Sequence, residues 1–321
     1  MTTMRAIVFD ATGGPEVLHV AEVDRPVCVG AEFLVKVVAA GVNPIDAKTR
    51  SGAGAAAAIT RYPVILGNDF SGIVVQSPYH AHPIKVGDEV YGMTMVPRFD
   101  GTYAEYISIP ATAIATKPRA LSHVEAAAVP LAAMTAWGAV VDVAKAHEGQ
   151  RILIHAGSGG VGHFAVQFAT YFGAYVITTG STRNSGWLRS LGAREVIDYS
   201  TTRFEDVVSD VDVVIDLIGN VLDDTGTRSL GVLKPGGLLV NVPSGSWPTL
   251  AEDAAAAGVR ATGYKVPADG ATLAVISRLL ESGDVRVYVD QVFEFEGAIA
   301  AHEALETGHT RGKIVITVSE G

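Results

Sequence analysis

One cysteine, Cys28, is all that 321 residues contain. A single thiol excludes an intrachain disulfide and any metal centre built from several thiolates. Cys28 reads as a small half-buried side chain at a strand entrance. Basic residues are also scarce: 24 Lys and Arg stand against 34 Asp and Glu, a formal net charge of −10. A nucleic-acid backbone is held by clustered cations, so no nucleic-acid partner is expected. No stretch approaches the roughly 18 uninterrupted apolar residues of a membrane span, and "MTTMRAIVFD" has no apolar leader core. The chain is therefore expected to be cytoplasmic, without a membrane partner. The rest is ordinary globular composition, 48% hydrophobic and 18% charged, enough for one large or two medium domains.

Along the chain the hydrophobic pattern changes character. "RAIVFD", "FLVKVVAAGV", "GIVV", "DEVYGM" and "YAEYISI" are short β-type runs separated by Gly, Pro and Asp, with little helical period. From "LSHVEAAAVPLAAMTAW" onward, helical stretches alternate with apolar strands: "RILIHA" (151–156), "AYVITTG" (174–180), "EVIDY" (195–199), "VDVVIDLIG" (211–219) and "GLLVNVPS" (237–244). Such strands imply a parallel sheet covered on both faces. The last strand, in "RGKIVITV", alternates too much for that sheet and is expected to rejoin the N-terminal β domain. The expected organisation is a β-rich domain from 1–124 and 263–321, and a doubly wound α/β domain from 125–262. "SGAGAAAAIT" (51–60) reads as a flexible loop near a cleft mouth.

The stretch "HAGSGGVGHFAVQFA" (155–169) carries the clearest chemistry. Its Gly157, Gly159 and Gly162 follow an apolar strand, and Val161, Phe164, Ala165, Phe168, Ala169 and Phe172 then mark one face of a helix. Gly157 permits a tight turn, Gly159 lets the main chain approach a pyrophosphate, and Gly162 lets the helix pack close to the strand. The helix start presents free N–H groups to an anion. A turn without a ligand is the alternative; the strand–loop–helix context favours a dinucleotide.

An NAD site usually carries Asp or Glu about 20 residues further on. From His155 through Arg194 there is no acidic residue. Gly180 and Ser181 occupy the expected place, with Arg183 and Asn184 behind them. A guanidinium with hydroxyl donors suits a 2′-phosphate, so NADPH is favoured over NADH. The alternative for Arg183 is a solvated charge at a helix start.

The stretches "GVNPIDAKTRSG" (41–52), "GNDFSGIV" (67–74), "KVGDEVYG" (85–92), "GTYAEY" (101–106), "AAAVPLAAMTAW" (126–137), "LKPGG" (233–237) and "GHTRGKIVITV" (308–318) follow one another in order. With the glycine turn they make a chain that resembles the zinc-free medium-chain dehydrogenase/reductases of the quinone oxidoreductase (zeta-crystallin-like) family, over nearly its whole length. The resemblance implies a GroES-like β domain, a Rossmann-type domain, a substrate cleft between them, and a homodimer. Zinc alcohol dehydrogenases share the fold, but Asn43 and Asn68 stand at the positions corresponding to their metal motif, and neither is a thiolate or imidazole. His80 and His82 come closest to a metal pair and read as surface residues.

The resemblance further implies that Thr135, Ser158, Gly160 and Val161 join the glycines around the nicotinamide and pyrophosphate. It puts Ser181, Arg183, Asn184 and Tyr199 at the 2′-phosphate or adenosine end, and Leu217, Val242 and Lys313 near the nicotinamide. Strand-end core (Leu217, Val242) and a solvated charge (Lys313) are the alternatives. It also implies that Asn43, Asp46 and Lys48 converge on the substrate, with Asn43 bonding the acceptor oxygen and Lys48 stabilising a hydroquinone anion. Asp46 paired with Lys48 or Arg50 as a structural ion pair is the alternative. The expected reaction is hydride transfer from NADPH to a quinone or related conjugated carbonyl, without zinc. Reduction of 2-alkenals, enones or enoyl thioesters, with Tyr62 as acid, is the alternative. An NADPH-binding interaction protein is the non-enzymatic one.

Overall fold

The alternating runs of the N-terminal part form β1 (Thr3–Phe9), β2 (His19–Asp24), β3 (Glu32–Val42), β4 (Val64–Ile65), β5 (Asp69–Gln76), β6 (Glu89–Met93), β7 (Tyr106–Pro110) and β8 (Ile114–Thr116). Helix α1 (Pro44–Arg50) interrupts them, and α2 (His123–Ala127) and α3 (Pro130–Trp137) follow. The apolar strands then alternate with helices: β9 (Arg151–Ile154), α4 (Gly162–Tyr171), β10 (Tyr175–Gly180), α5 (Ser185–Ser190), β11 (Glu195–Asp198), β12 (Val211–Asp216), α6 (Thr225–Leu230), β13 (Leu233–Asn241), α7 (Leu250–Ala256) and β14 (Arg260–Gly263). The chain closes with α8 (Gly270–Ser282), β15 (Val289–Phe293), α9 (Ala298–Glu306) and β16 (Lys313–Thr317).

This computed structural model describes residues 2–320 and comprises two units, Met1–Met134 with Pro267–Gly321, and Thr135–Val266. The first unit holds a three-stranded sheet, β2-β1-β4, and a seven-stranded sheet, β15-β16-β3-β5-β6-β8 with β7 also on β3. Its core is built from residues such as Phe9, Phe33, Val37, Phe70, Tyr103, Ile107, Phe295, Ile314 and Ile316. The alternating last strand, β16, pairs antiparallel with β3, Ile314 opposite Val42.

The second unit is one parallel sheet in the order β11-β10-β9-β12-β13-β14. Counted from β9 this is 3-2-1-4-5-6, the Rossmann-type order, with its switch point between β9 and β12. Ile152, Leu153 and Ile154 are all 0% exposed, so β9 is buried on both faces, as a fully apolar strand should be.

Several expectations need correction. The boundaries lie at 134/135 and 266/267 instead of 124/125 and 262/263. Helix α2 packs on β3 and β5 and so belongs to the first unit. β14 is a sixth strand; half-exposed at the sheet edge and carrying Arg260 and Thr262, it lacks the apolar signature of the inner strands. Helix α4 is buried on every side from Gly162 to Ala169, beyond the single apolar face expected. The His163 ring lies against Phe164 and stacks on Trp187, and Gln167 Nε2 donates to the His163 carbonyl at 2.8 Å. Within 51–60, Ala56–Ala58 forms a 3-10 turn, and the Ala55 N–H donates to Thr49 Oγ1 at 3.3 Å. Of the two histidines near residue 80, His80 is exposed, whereas His82 packs edge-on against Phe33 and accepts from the Ile84 N–H.

Close packing under the glycine turn supplies a test. A Cβ on Gly162 would lie 2.1 Å from the Ala156 carbonyl oxygen, a backbone atom that cannot step aside. Gly186, in α5, has nothing within 4 Å. Gly162→Ala is expected to cost about 1–3 kcal/mol in urea unfolding. Gly186→Ala should gain up to about 1 kcal/mol as a helix-favouring change. Equal effects would show that the close approach at Gly162 relaxes freely.

Candidate functional site

Nearly all the residues expected around a dinucleotide collect at one place in the second unit, the C-terminal edge of its sheet. Gly157 to Gly162 follow β9, Ser181 to Asn184 follow β10, and Tyr199 follows β11; Leu217 and Val242 follow β12 and β13. Open α/β sheets bind ligands at this edge, where the strand order reverses. Thr135 differs: it lies within α3 and is 4% exposed.

The turn itself is tight. Ala156 sits at φ 51°, a left-handed conformation that non-glycine residues rarely adopt. Its N–H donates to Thr179 Oγ1 at 3.0 Å, and the Gly157 N–H donates to the Thr179 carbonyl at 3.0 Å. A Cβ on Gly157 would meet Thr178 Oγ1 at 2.1 Å. At Gly159 a Cβ would touch only the Ala156 carbonyl oxygen, at 3.4 Å, and Ser158 to Val161 are half-exposed. Two glycines thus serve packing and the third leaves open space beside the chain. These residues fit a pyrophosphate.

Beyond β10, Arg183 is exposed on the 3-10 turn Thr182–Asn184. Asn184 is buried and donates to Ser181 Oγ at 3.3 Å; the Tyr199 side chain is 62% exposed. The sheet adds a carboxylate that linear spacing does not reveal. Asp198 lies opposite Gly180 in the β10–β11 register, and its oxygens accept from the Thr182 hydroxyl and from the Ser200 N–H and hydroxyl. The Ser200 and Thr182 hydroxyls hold its carboxyl below the ordinary aspartate range. At the ends of β12 and β13, Asp216 Oδ1 accepts from the Ile218 and Gly219 N–H groups and Oδ2 from Asn241 Nδ2. That network fixes the backbone next to Leu217 and Val242, both half-buried.

The first unit holds a second polar cluster, wholly buried. The β3–β16 pairing brings Lys313 beside the end of β3. Its Nζ donates to the Val42 carbonyl at 3.0 Å and to Asn43 Oδ1, and lies 3.4 Å from Asp69 Oδ2. Asn43 Nδ2 donates to the same Asp69 oxygen at 2.9 Å. The amide orientation follows: turned over, its NH2 would face the ammonium and its oxygen the carboxylate. Asp69 Oδ1 accepts from the Leu131 N–H at 2.7 Å. Lys313 is 4% exposed, so it is no solvated charge, and it belongs to the first unit.

Asn43, Asp46 and Lys48 do not stand on a strand-like run, because α1 begins there. Asn-Pro-Ile-Asp is a helix start, with Pro at the first helical position and an acid at the third, where Asp46 Oδ2 accepts the Asn43 N–H at 2.9 Å. That signature was present in the sequence. Asp46 turns inward, 2% exposed, and Lys48, two residues on, points to solvent. Neither expected ion pair of Asp46 forms among the described residues; Arg50 is buried and pairs with Glu306. Asp46 instead accepts from the Tyr103 hydroxyl at 3.3 Å, and that hydroxyl lies 3.4 Å from His302 Nε2. Asp69 and Tyr103 lie within the quoted stretches "GNDFSGIV" and "GTYAEY" without having been singled out, whereas His302 gave no signal. Tyr62 is 45% exposed and meets Phe9 edge-on.

Burial dominates the charges here. It pushes Asp46 up to about 7, with the Asp69 carboxylate acting the same way and the Asn43 N–H against it. It raises Asp69 as well, opposed by the Lys313 ammonium. His302 falls to about 3, through burial and the charge of Arg50. Among the described residues no group of three or more His, Cys, Asp or Glu is arranged to hold a metal. Asn68 donates to Thr94 Oγ1 at 3.0 Å, and Asn43 is locked between an ammonium and a carboxylate. A donor set of two committed amides beside a fixed cation does not fit zinc.

The Asp46 carboxyl yields a pH dependence. Its ordinary value is 3.8 and its folded value about 7, so the folded chain holds the extra proton between them. The corresponding stability is full below the lower value and falls as pH rises to the upper one. Wild type should therefore lose stability relative to Asp46→Asn between about pH 4 and 7 in urea unfolding, and run parallel to it above. Parallel curves throughout would mean that Asp46 is ionised across this range.

Residues 30–119 match the alcohol dehydrogenase GroES-like domain, and residues 191–316 match the zinc-binding dehydrogenase family. The mitochondrial NAD(P)H oxidoreductase RTN4IP1 of Danio rerio is 32% identical, over 99% of this chain and 92% of its own. The 2-methylene-furan-3-one reductase of Solanum lycopersicum is 35% identical, over 98% and 79%. The structure of the quinone oxidoreductase from Coxiella burnetii superposes with a TM-score of 0.94 at 38% identity, covering 99% of this chain and 100% of that one. The chain belongs to the medium-chain dehydrogenase/reductase (alcohol dehydrogenase) superfamily, in its quinone-oxidoreductase-like branch.

Proposed function

We propose that the chain uses NADPH to reduce a conjugated carbonyl, with a quinone as the foremost substrate. The observation that carries this is the sheet edge of the second unit, where an open glycine turn stands beside a strand end carrying Ser181 and the exposed Arg183. When bound, the nicotinamide supplies the hydride. The protein's part is to bind and orient it. N–H groups of the turn and the start of α4 hold the pyrophosphate. Ser181, Arg183 and Tyr199 take the 2′-phosphate and adenosine, and Leu217 and Val242 offer apolar surface that keeps water from the reacting ring.

In the first unit the buried cluster limits what each residue contributes. The amide of Asn43 is committed to Lys313 and Asp69 and is 1% exposed, so it supports the local backbone instead of bonding an acceptor oxygen. Of the three residues expected at the substrate, Lys48 is the exposed one and is suited to a developing anion. Hydride transfer leaves a quinone as its hydroquinone monoanion, which takes one proton from water and needs no dedicated acid. Reduction of an enone is the second reading, favoured by the likeness to the Solanum lycopersicum furanone reductase. Tyr62, half-exposed, is then the candidate donor of the proton to carbon.

Steady-state assays with both cofactors and a panel of quinones, 2-alkenals and enones test the proposal. NADPH consumption with ortho- or para-quinones is expected. Arg183→Glu should raise the KM for NADPH by about tenfold or more, the loss of a charge-assisted bond, with little change for NADH. Equal use of both cofactors by wild type would defeat the preference for NADPH. Turnover confined to enones would select the second reading, and tight NADPH binding without any turnover would favour an interaction role.

A further inference from the structure

The second unit contains a buried imidazole that no step above uses. His155 directly follows β9 and is 1% exposed. Its Nδ1 lies 3.3 Å from Thr179 Oγ1 and its Nε2 2.8 Å from Ser229 Oγ, while the ring packs edge-on against Phe204.

The direction of each bond follows by elimination. Ser229 donates its only proton to the Thr225 carbonyl at 2.7 Å, one turn back in α6. Towards His155 it can therefore only accept, so Nε2 carries the hydrogen. Burial lowers the imidazole to about 4; Arg228 acts the same way, and the carboxylates of Asp216 and Glu205 act against it. The ring is neutral at ordinary pH, and Nδ1 is a bare lone pair. Thr179 Oγ1 accepts the Ala156 N–H at 3.0 Å and points its own proton at that lone pair. The Thr179 carbonyl takes the Gly157 N–H. One residue of β10 thus holds both N–H groups of the left-handed corner at Ala156, and His155 sets its hydroxyl.

We propose that His155 and Thr179 are positioning residues for the cofactor: the Thr179 hydroxyl, oriented by His155, fixes the Ala156–Gly157 corner from which the pyrophosphate-binding turn departs. This rests on the nucleotide reading of the turn. The pyrophosphate is common to both cofactors, so loss of the corner weakens NADPH and NADH alike, unlike a change at Arg183.

Dissociation constants for both nucleotides, measured by calorimetric titration, carry the test. Thr179→Val keeps the shape and removes the hydroxyl, and it should weaken both cofactors by about tenfold, the loss of one buried hydrogen bond. Thr179→Ser should stay within about threefold of wild type, because it restores the donor. Ring 15N spectra of the nucleotide-free protein should show His155 neutral with hydrogen on Nε2 between pH 6 and 8. Unchanged affinities in Thr179→Val beside a binding wild type would overturn this inference alone. So would a charged ring or hydrogen on Nδ1. A wild type that binds neither nucleotide would overturn the nucleotide reading and this inference with it. If Thr179→Val does not fold, the ring spectrum and Thr179→Ser still decide.

Discussion

An ammonium group with 4% of its residue exposed must be matched inside the protein, and in the first unit much is arranged around Lys313. Three oxygens answer it, from Val42, Asn43 and Asp69. Each answer fixes something else. The bond to Val42 holds the register of β16 on β3, bringing a segment from the end of the chain onto one from its start. The bond to Asn43 sets an amide orientation at the residue where α1 begins. Asp69 passes its second oxygen to the Leu131 N–H, at the start of α3. A buried ion pair adds little net stability over well-packed apolar residues. What this one supplies is direction, since few alternative pairings would satisfy every member.

The second unit follows the same rule without a buried ion pair at its centre. Its strand ends are fixed by polar groups that accept more than one donor. Asp216 gathers two backbone N–H groups and the Asn241 amide, and Thr179 gathers the first two N–H groups of the glycine turn. The apolar strands supply the burial that makes these groups costly to leave unsatisfied. Burial and binding geometry are therefore linked through the strand termini.

The two units differ in how openly the sequence declares them. Uninterrupted apolar strands and a glycine turn are local signals, so the Rossmann-type unit was legible except for its edge strand, whose exposed residues carry no such pattern. The buried cluster of the first unit was not. Lys313 and Asn43 lie 270 positions apart, and Tyr103 meets His302 across 199. Contacts that far apart in sequence follow from sheet register, which spacing along the chain cannot convey. Helix α1 is a different case. Its Asn-Pro-Ile-Asp start was readable, but the whole helix is only seven residues long, too short for a helical period to stand out beside the β-type runs.

The Asp198 carboxylate bears on cofactor choice in a way that an acid-free second strand conceals. Parallel pairing sets it opposite Gly180, so the nucleotide end of the sheet does contain a negative charge. A carboxylate serves a ribose by accepting from the 2′-hydroxyl. Here one oxygen already takes two donors from Ser200 and the other takes the Thr182 hydroxyl. Its lone pairs are largely committed to shaping the turn, but its charge remains. On the proposed reading, a 2′-phosphate at this edge would meet both charges, and cofactor preference would depend on the balance of Arg183 and Asp198. An exposed guanidinium can bond a phosphate directly, whereas a carboxylate whose lone pairs are committed acts on it mainly through a charge that solvent screens. On that reading, a direct bond from Arg183 would outweigh the screened charge of Asp198, and that balance is what would favour NADPH over NADH at this edge.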